Sequence, residues 1–442
     1  MNIQLSDHFD TKKLLCFTLP SIAMMIFTSI YGVVDGFFVS NYTGKIPFAA
    51  VNLIMPFLMI LGTVGFMFGT GGSAIVAKTM GEGDKERANR YFSLFIYFST
   101  AVSAVLAILG IIFLEPVSVL LGAEGEMVEN CVRYGRIILL ALPFFVLQLE
   151  FQSFFVTAER PNLGLVSTII SGVTNMVLDW LLVAVFSMGL EGAAAATAIS
   201  QAVGGIFPLI YFLSDNNSLL RLGKTNFSGR TIIKACINGS SEFMSNISMS
   251  LIGMLYNIQL LSYAGENGVA AYGVMMYVNM IFASAFIGYS IGVAPIVGFH
   301  YGAGNHDELK GILRRSIRLI AVFSVCMTIA AQLLAVPLAQ LFVGYDSALM
   351  DLTVTAFRIC GFCYLFMGFA IFSSGFFTAL NDGVTSAIIS FLRTLVFQCA
   401  AVMLLPLVWK INGVWASIVV AEFMAVVLSI VFLIIKRKKY HY

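Results

Sequence analysis

The sequence predicts an all-α membrane protein of twelve transmembrane helices, arranged as two parallel six-helix repeats that face a central cleft. Three observations lead there. Of the 442 residues 59% are hydrophobic and 11% charged, with a mean hydropathy of +0.92, whereas soluble domains carry about 25% charged residues. Apolar runs long enough to cross a bilayer as helices recur from one end of the chain to the other. The second half also repeats the first at an offset of 221 residues over long stretches.

The first run, 14–39, reads LLCFTLPSIAMMIFTSIYGVVDGFFV and contains a single charge, Asp35. An aspartate near the centre of a membrane helix costs about 2.5–3.5 kcal/mol, which makes it a candidate functional group. Pro20, on the same helix, lacks an N–H and clashes with the carbonyl one turn behind it, so it is the expected hinge. Lys12 and Lys13 precede a run longer than a signal-peptide core with no small-residue cleavage site after it, so the run reads as a retained first span. Further spans are expected at 51–77, 92–114, 132–158, 164–187, 192–213, 234–262, 271–300, 315–343, 355–380, 384–408 and 413–436.

With the N-terminus inside, nineteen basic residues fall in cytoplasmic segments, five fall outside, and Arg393 is left within a span. The positive-inside rule then puts both termini in the cytoplasm, in a protein of the plasma membrane. The net charge of +2 is divided among the connections rather than pooled, so the expected surroundings are membrane lipids and not nucleic acid. The seven cysteines lie mostly inside apolar runs, and Cys360 and Cys363 have no His or acidic companions, so buried thiols are expected.

The longest polar connection, Ser214 to Arg230, divides the chain into an N-terminal six-helix bundle at 1–213, a cytoplasmic linker at 214–233 and a C-terminal bundle at 234–442. At the repeat offset Gly71 pairs with Gly292, Gly81 with Gly302, Gly83 with Gly304 and Gly192 with Gly413. Six is even, so both copies enter the membrane from one side, with the cavity expected between them. The G-x-G pairs at Gly81–Gly83 and Gly302–Gly304 lack the strand of a phosphate loop and read as helix ends followed by turns.

Four polar residues of the first half are expected at one depth. Asp35 nears the outer end of span 1, Asn175 and Asp179 share a face of span 5 at i and i+4, and Thr197 follows the start of span 6. Two carboxylates, an amide oxygen and a hydroxyl suit a hard cation such as Na⁺, or a shared proton. In the other half of the membrane, Glu242 and Arg393 lie at similar depth, where an ion pair between them is expected to be structural, and Glu150 stands between Gln148 and Gln152. Walker, HExxH and Ser–His–acid patterns are absent, so the chain is not expected to be an enzyme. Its 21 methionines and 39 phenylalanines fit lipid-facing and core packing, with some left to line a repackable cavity.

Taken together, TLPSI and VVDGFFVS in span 1, GGSAIVAKTMGEGD after span 2, NMVLDWLLV in span 5 and GAAAATAIS in span 6 resemble the multidrug and toxic compound extrusion (MATE) family over essentially the whole chain. The resemblance implies a monomeric, cofactor-free secondary exporter that moves drug-like, often cationic compounds against H⁺ or Na⁺. It implies a cation site at Asp35, Asn175, Asp179 and Thr197, and a bending position at Pro20. In the second half the residues opposite Asp35 and Asp179 are Tyr256 and Ala400, and Ser241 stands opposite Pro20, so no second cation site or second hinge is expected there. The alternatives are a lipid-linked saccharide flippase of the related superfamily, which needs a more cationic cavity, and a receptor or scaffold without transport.

Overall fold

Helices account for all the regular structure in a computed structural model that describes residues 3–344 and 346–442. In the first half α1 (Thr11–Tyr42), α2 (Lys45–Gly81) and α3 (Lys85–Leu120) each span alone. Asp10 starts α1 by accepting from the Lys13 N–H at 2.7 Å, and Asp84 starts α3 through the Arg87 N–H at 2.9 Å. The fourth span is broken into α4 (Glu126–Leu140) and α5 (Leu142–Thr157), which meet at 54°. Pro143 lies in the first turn of α5, where its missing N–H prevents the ladder from running through. The fifth is α6 (Pro161–Leu178), continued by π-helical turns over Asp179–Val185, and the sixth is α7 (Gly189–Leu213).

The second half begins with a short amphipathic helix, α8 (Gly229–Asn238), so span 7 starts at Ser240 rather than 234. Helix α9 (Ser240–Gly302) holds two spans that meet where Gly265 turns back at φ 62°. Next come α10 (His306–Val343), and α11 (Ser347–Cys360) joined to α12 (Tyr364–Ala379) through a single tight turn. Helix α13 (Gly383–Phe391) passes through π-helical turns at Leu392–Phe397 into α14 (Gln398–Tyr440), which is broken at Lys410 and supplies the rest of span 11 and all of span 12. The twelve expected spans are all present.

The repeat is visible in the packing. A Cβ on Gly81 would lie 2.0 Å from the Phe299 carbonyl oxygen, and one on Gly302, its repeat partner, 2.0 Å from that of Lys78. Likewise Gly71 abuts Gly239, with a virtual Cβ 2.5 Å from its nitrogen, while Gly292 abuts Thr18 at 2.9 Å, and Thr18 and Gly239 are themselves repeat partners. The helix-end reading of the G-x-G pairs therefore needs a refinement. Gly83 and Gly304 take positive φ, 87° and 68°, while Gly81 and Gly302 are the last residues of their helices and let two backbones touch.

These contacts lie at the end of the bundle that carries both termini, here called the terminal face. There one core is common to both halves and includes Phe92, Phe151, Phe154 and Phe212 from the first and Tyr289, Phe372 and Phe377 from the second. Away from it the cores separate: Val39, Ile54, Leu139 and Ala194 belong to a first-half cluster, and Leu260, Tyr272, Val402 and Trp415 to a second-half cluster. The halves share one core at the terminal face and keep cores of their own beyond it, where α1 and α9 still touch and Ser29 Oγ donates to the Met280 carbonyl at 3.4 Å. The shared core is reinforced by polar ties. Asn238 Nδ2 donates to the carbonyls of Gly71 at 3.2 Å and Thr378 at 3.0 Å. The N-terminal segment crosses between halves, with the Leu5 N–H on Glu159 and the Phe9 N–H on Glu308.

Candidate cation site

Helices α1, α6 and α7 bring the first-half residues together. Thr197 Oγ1 donates to Asp35 Oδ1 at 3.3 Å, and Asp179 and Asn175 border the same Asp35 carboxylate. Asn175 lies in the last turn of α6, and Asp179 opens the π-helical turns that follow it. Asp179 is fully buried, and apart from the Asp35 carboxyl beside it no group among the described residues donates to either of its oxygens; both amide atoms of the buried Asn175 are also unpaired. Unpaired buried polar atoms are costly. Carboxylate oxygens, an amide oxygen and a hydroxyl form the hard donor set suited to Na⁺ or to a proton shared between carboxylates. Among the described residues no three His, Cys, Asp or Glu side chains gather as a transition-metal site.

Tyr134 was not among the expected residues. It lies on α4, 1% exposed, with its hydroxyl unpaired and close to both Asp35 and Asp179. In sequence it sits in VRYGR, where a tyrosine between arginines reads as an interfacial anchor. Pro20 is buried inside α1, which continues through it as one helix.

The ion pair expected between Glu242 and Arg393 does not form. Arg393 forks onto Glu422 of span 12 instead, with Nε to Oε2 at 2.8 Å, Nε to Oε1 at 3.1 Å and Nη2 to Oε1 at 2.9 Å. The π-helical turns that carry Arg393 pack against α14, and the bidentate geometry uses both carboxylate oxygens. Glu242 stays in the first turn of α9, where the positive end of the helix dipole favours a carboxylate. Glu422, alone in the apolar run WASIVVAEFMAVV, was legible as an intramembrane charge. Glu150 faces α3, accepting from Ser99 Oγ at 2.5 Å and leaving Oε1 unpaired.

The MatE family profile matches residues 20–181 and again 243–402, once in each half. The chain belongs to the MatE family. Among relatives, it is 24% identical over 425 residues to the multidrug export protein MepA of Staphylococcus saprophyticus, covering 93% of this chain and 90% of that protein. It is 25% identical over 413 residues to MepA of Staphylococcus haemolyticus, with the same coverage. Among solved structures, one of a MATE protein in complex with MaL6 superposes with a TM-score of 0.91 at 23% identity, over 98% of this chain and 97% of that one. An outward-facing multidrug resistance MATE family transporter gives 0.90 at 23% identity and the same coverage. These likenesses establish the twelve-helix MATE fold, and the named relatives are export proteins rather than enzymes.

Proposed function

We infer that this chain is a secondary multidrug exporter that moves drug-like organic compounds, often cationic, out of the cell against inward H⁺ or Na⁺. The observation that carries this reading is Asp179, fully buried, unpaired and beside a second carboxylate, with no cationic side chain within ion-pairing distance of either among the described residues. A fold that only had to be stable would neutralise or remove such a group. A fold that must take up and release a cation needs it. Asp35, Asp179, Asn175 and Thr197 are the proposed cation ligands, with Tyr134 closing the set, and Pro20 is the proposed hinge.

The terminal face is proposed to be cytoplasmic, in the plasma membrane, on the basic-residue asymmetry. The division into a bundle at 1–213, a linker at 214–233 and a bundle at 234–442 is the proposed functional one, with the cation site wholly in the first bundle. If drug and cation prefer different states of the first bundle, inward cation flow drives outward drug release by no more than those differential affinities. A flippase for pyrophosphate-linked saccharides is less well supported, because the single arginine deep in the spans, Arg393, is already held by Glu422. A receptor or scaffold has no use for the unpaired carboxylates.

Proteoliposomes with Na⁺ and pH gradients imposed separately test the reading. Export driven by one gradient and lost in Asp35→Asn supports it, and gradient-driven export that survives Asp35→Asn refutes the site.

A further inference from the structure

Helices α6 and α7, which hold Asp179 and Thr197 toward one face of the membrane, enclose at their other ends a groove that the transport cycle leaves without a role. An open-sided cavity of about 580 Å³ lies between the start of α6, the end of α7 and the first residues of the linker, a size typical of small-molecule sites. Its walls divide by chemistry. Leu163, Phe207 and Ile210 form the apolar side, and Phe207 and Ile210 also present 36% and 58% of their surface outward. Arg160, Asn216 and Asn217 form the polar side, at the point where the chain leaves the membrane.

Among the described residues Arg160 makes no ion pair in the groove, although Glu159 stands next to it in the chain. Arg160 Nη2 donates to the Asn217 carbonyl at 2.7 Å, which fixes the guanidinium and leaves most of its five N–H groups for a ligand. Asp215, the acidic residue of the lining, faces solvent and pairs there with Arg221, so those two charges largely offset each other. Arg160 also caps the start of α6, so the positive end of that helix dipole adds to its field.

We propose that this groove binds an anionic glycerophospholipid of the cytoplasmic leaflet, its phosphate forked on Arg160 and an acyl chain laid along Leu163, Phe207 and Ile210. The leaflet assignment rests on the orientation given under Proposed function. The groove itself does not. An occupied groove ties the linker to the ends of the two helices that carry three of the four proposed cation ligands, and so couples bilayer composition to transport.

The test is retention of spin-labelled phosphatidylglycerol, against phosphatidylcholine with the same chains, by the purified protein in nanodiscs. The wild type should retain phosphatidylglycerol about tenfold better, the scale of one charge-assisted hydrogen-bonded contact. Arg160→Ala should abolish the preference, and Arg160→Lys should keep part of it as a point charge. Phe207→Asp should weaken retention of both lipids, and millimolar inorganic phosphate should displace neither. Equal retention of the two lipids by the wild type, an unchanged preference in Arg160→Ala, or displacement by inorganic phosphate overturns the site. Orientation is read separately. Labelling of Asn217→Cys in intact cells by an impermeant maleimide would overturn the cytoplasmic assignment, whatever lipid the groove retains.

Discussion

The two halves share a topology and a sequence offset, and they treat buried charge in opposite ways. The first half keeps Asp35 and Asp179 close together, with Asp179 unpaired. The second places Tyr256, Val396, Ala400 and Ile418 at the positions equivalent to Asp35, Asn175, Asp179 and Thr197. Tyr256 donates to Gln398 at 2.7 Å and stacks on Tyr272 at 5.2 Å, so the site's counterpart is closed and satisfied. The arginine of that half, Arg393, is fully engaged by Glu422. Both fifth helices nevertheless contain π-helical turns that carry their ionisable residue, Asp179 in one and Arg393 in the other. The same backbone device thus carries a carboxylate without a cationic partner in one copy and one member of an ion pair in the other. What differs is whether the facing helix supplies an opposite charge.

The comparison breaks most directly at the carboxylates. Asp35→Asn and Asp179→Asn should each reduce gradient-driven export to the rate without a gradient while the protein remains folded, measured as drug flux in proteoliposomes. If either variant exports at the wild-type rate, the first half is not the coupling half.

In the second half, Arg393→Leu alone should destabilise the fold by about 3–5 kcal/mol by leaving Glu422 as an unpaired buried charge. Arg393→Leu with Glu422→Leu should recover most of that and still couple. Thermal unfolding in detergent, together with flux, reads both. A stable double variant that binds drug but does not couple would give the second half an energetic role.

The shared core can be probed where the halves touch. Gly81→Ala and Gly302→Ala should each cost about 1–3 kcal/mol through overpacking against a carbonyl, and should favour opening at the terminal face. Greater reactivity of the native Cys236 toward a thiol reagent applied from that side would report it.

Neutral ligands should matter less than carboxylates. Asn175→Ala and Thr197→Ala should weaken apparent cation affinity by about tenfold, or 1.4 kcal/mol, more than they lower maximal flux. The effect should be larger if the ion is Na⁺, whose shell needs the neutral oxygens.

A modest effect is expected at the terminal face. Burial pushes the Asp382 carboxyl up, but hydrogen bonds from Lys436, Tyr440 and Thr385 outweigh it and hold the group below its ordinary value. The sign follows: its stabilisation is present above the ordinary carboxylate range and is lost as pH falls through the lowered value. Asp382 is buried but Lys436 is partly exposed and can turn its ammonium to water, so Asp382→Asn should cost about 1–2 kcal/mol and flatten acid sensitivity only modestly in a thermal melt. A large change would mean that this contact holds the two halves together.

Hydropathy, the 221-residue repeat and the basic asymmetry in the sequence sufficed for the spans, their number and the even-membered halves, because a bilayer requires each crossing to be long, apolar and hydrogen-bonded within itself. Asp35, Asn175, Asp179 and Thr197 were legible as well, because polar residues stand out in apolar helices and depth can be counted along each one. What depth cannot supply is azimuth, the direction a side chain takes around its helix. Tertiary structure alone decided that Arg393 turns to Glu422 rather than Glu242, that the buried Tyr134 lies near the two aspartates, and that Gly81 and Gly302, at their helix ends, let two backbones touch. The π-helical turns at Asp179 and Arg393 belong with these. They shift the face of a helix by a fraction of a turn, and no periodicity in the chain announces them, because that shift is held by the neighbouring helices.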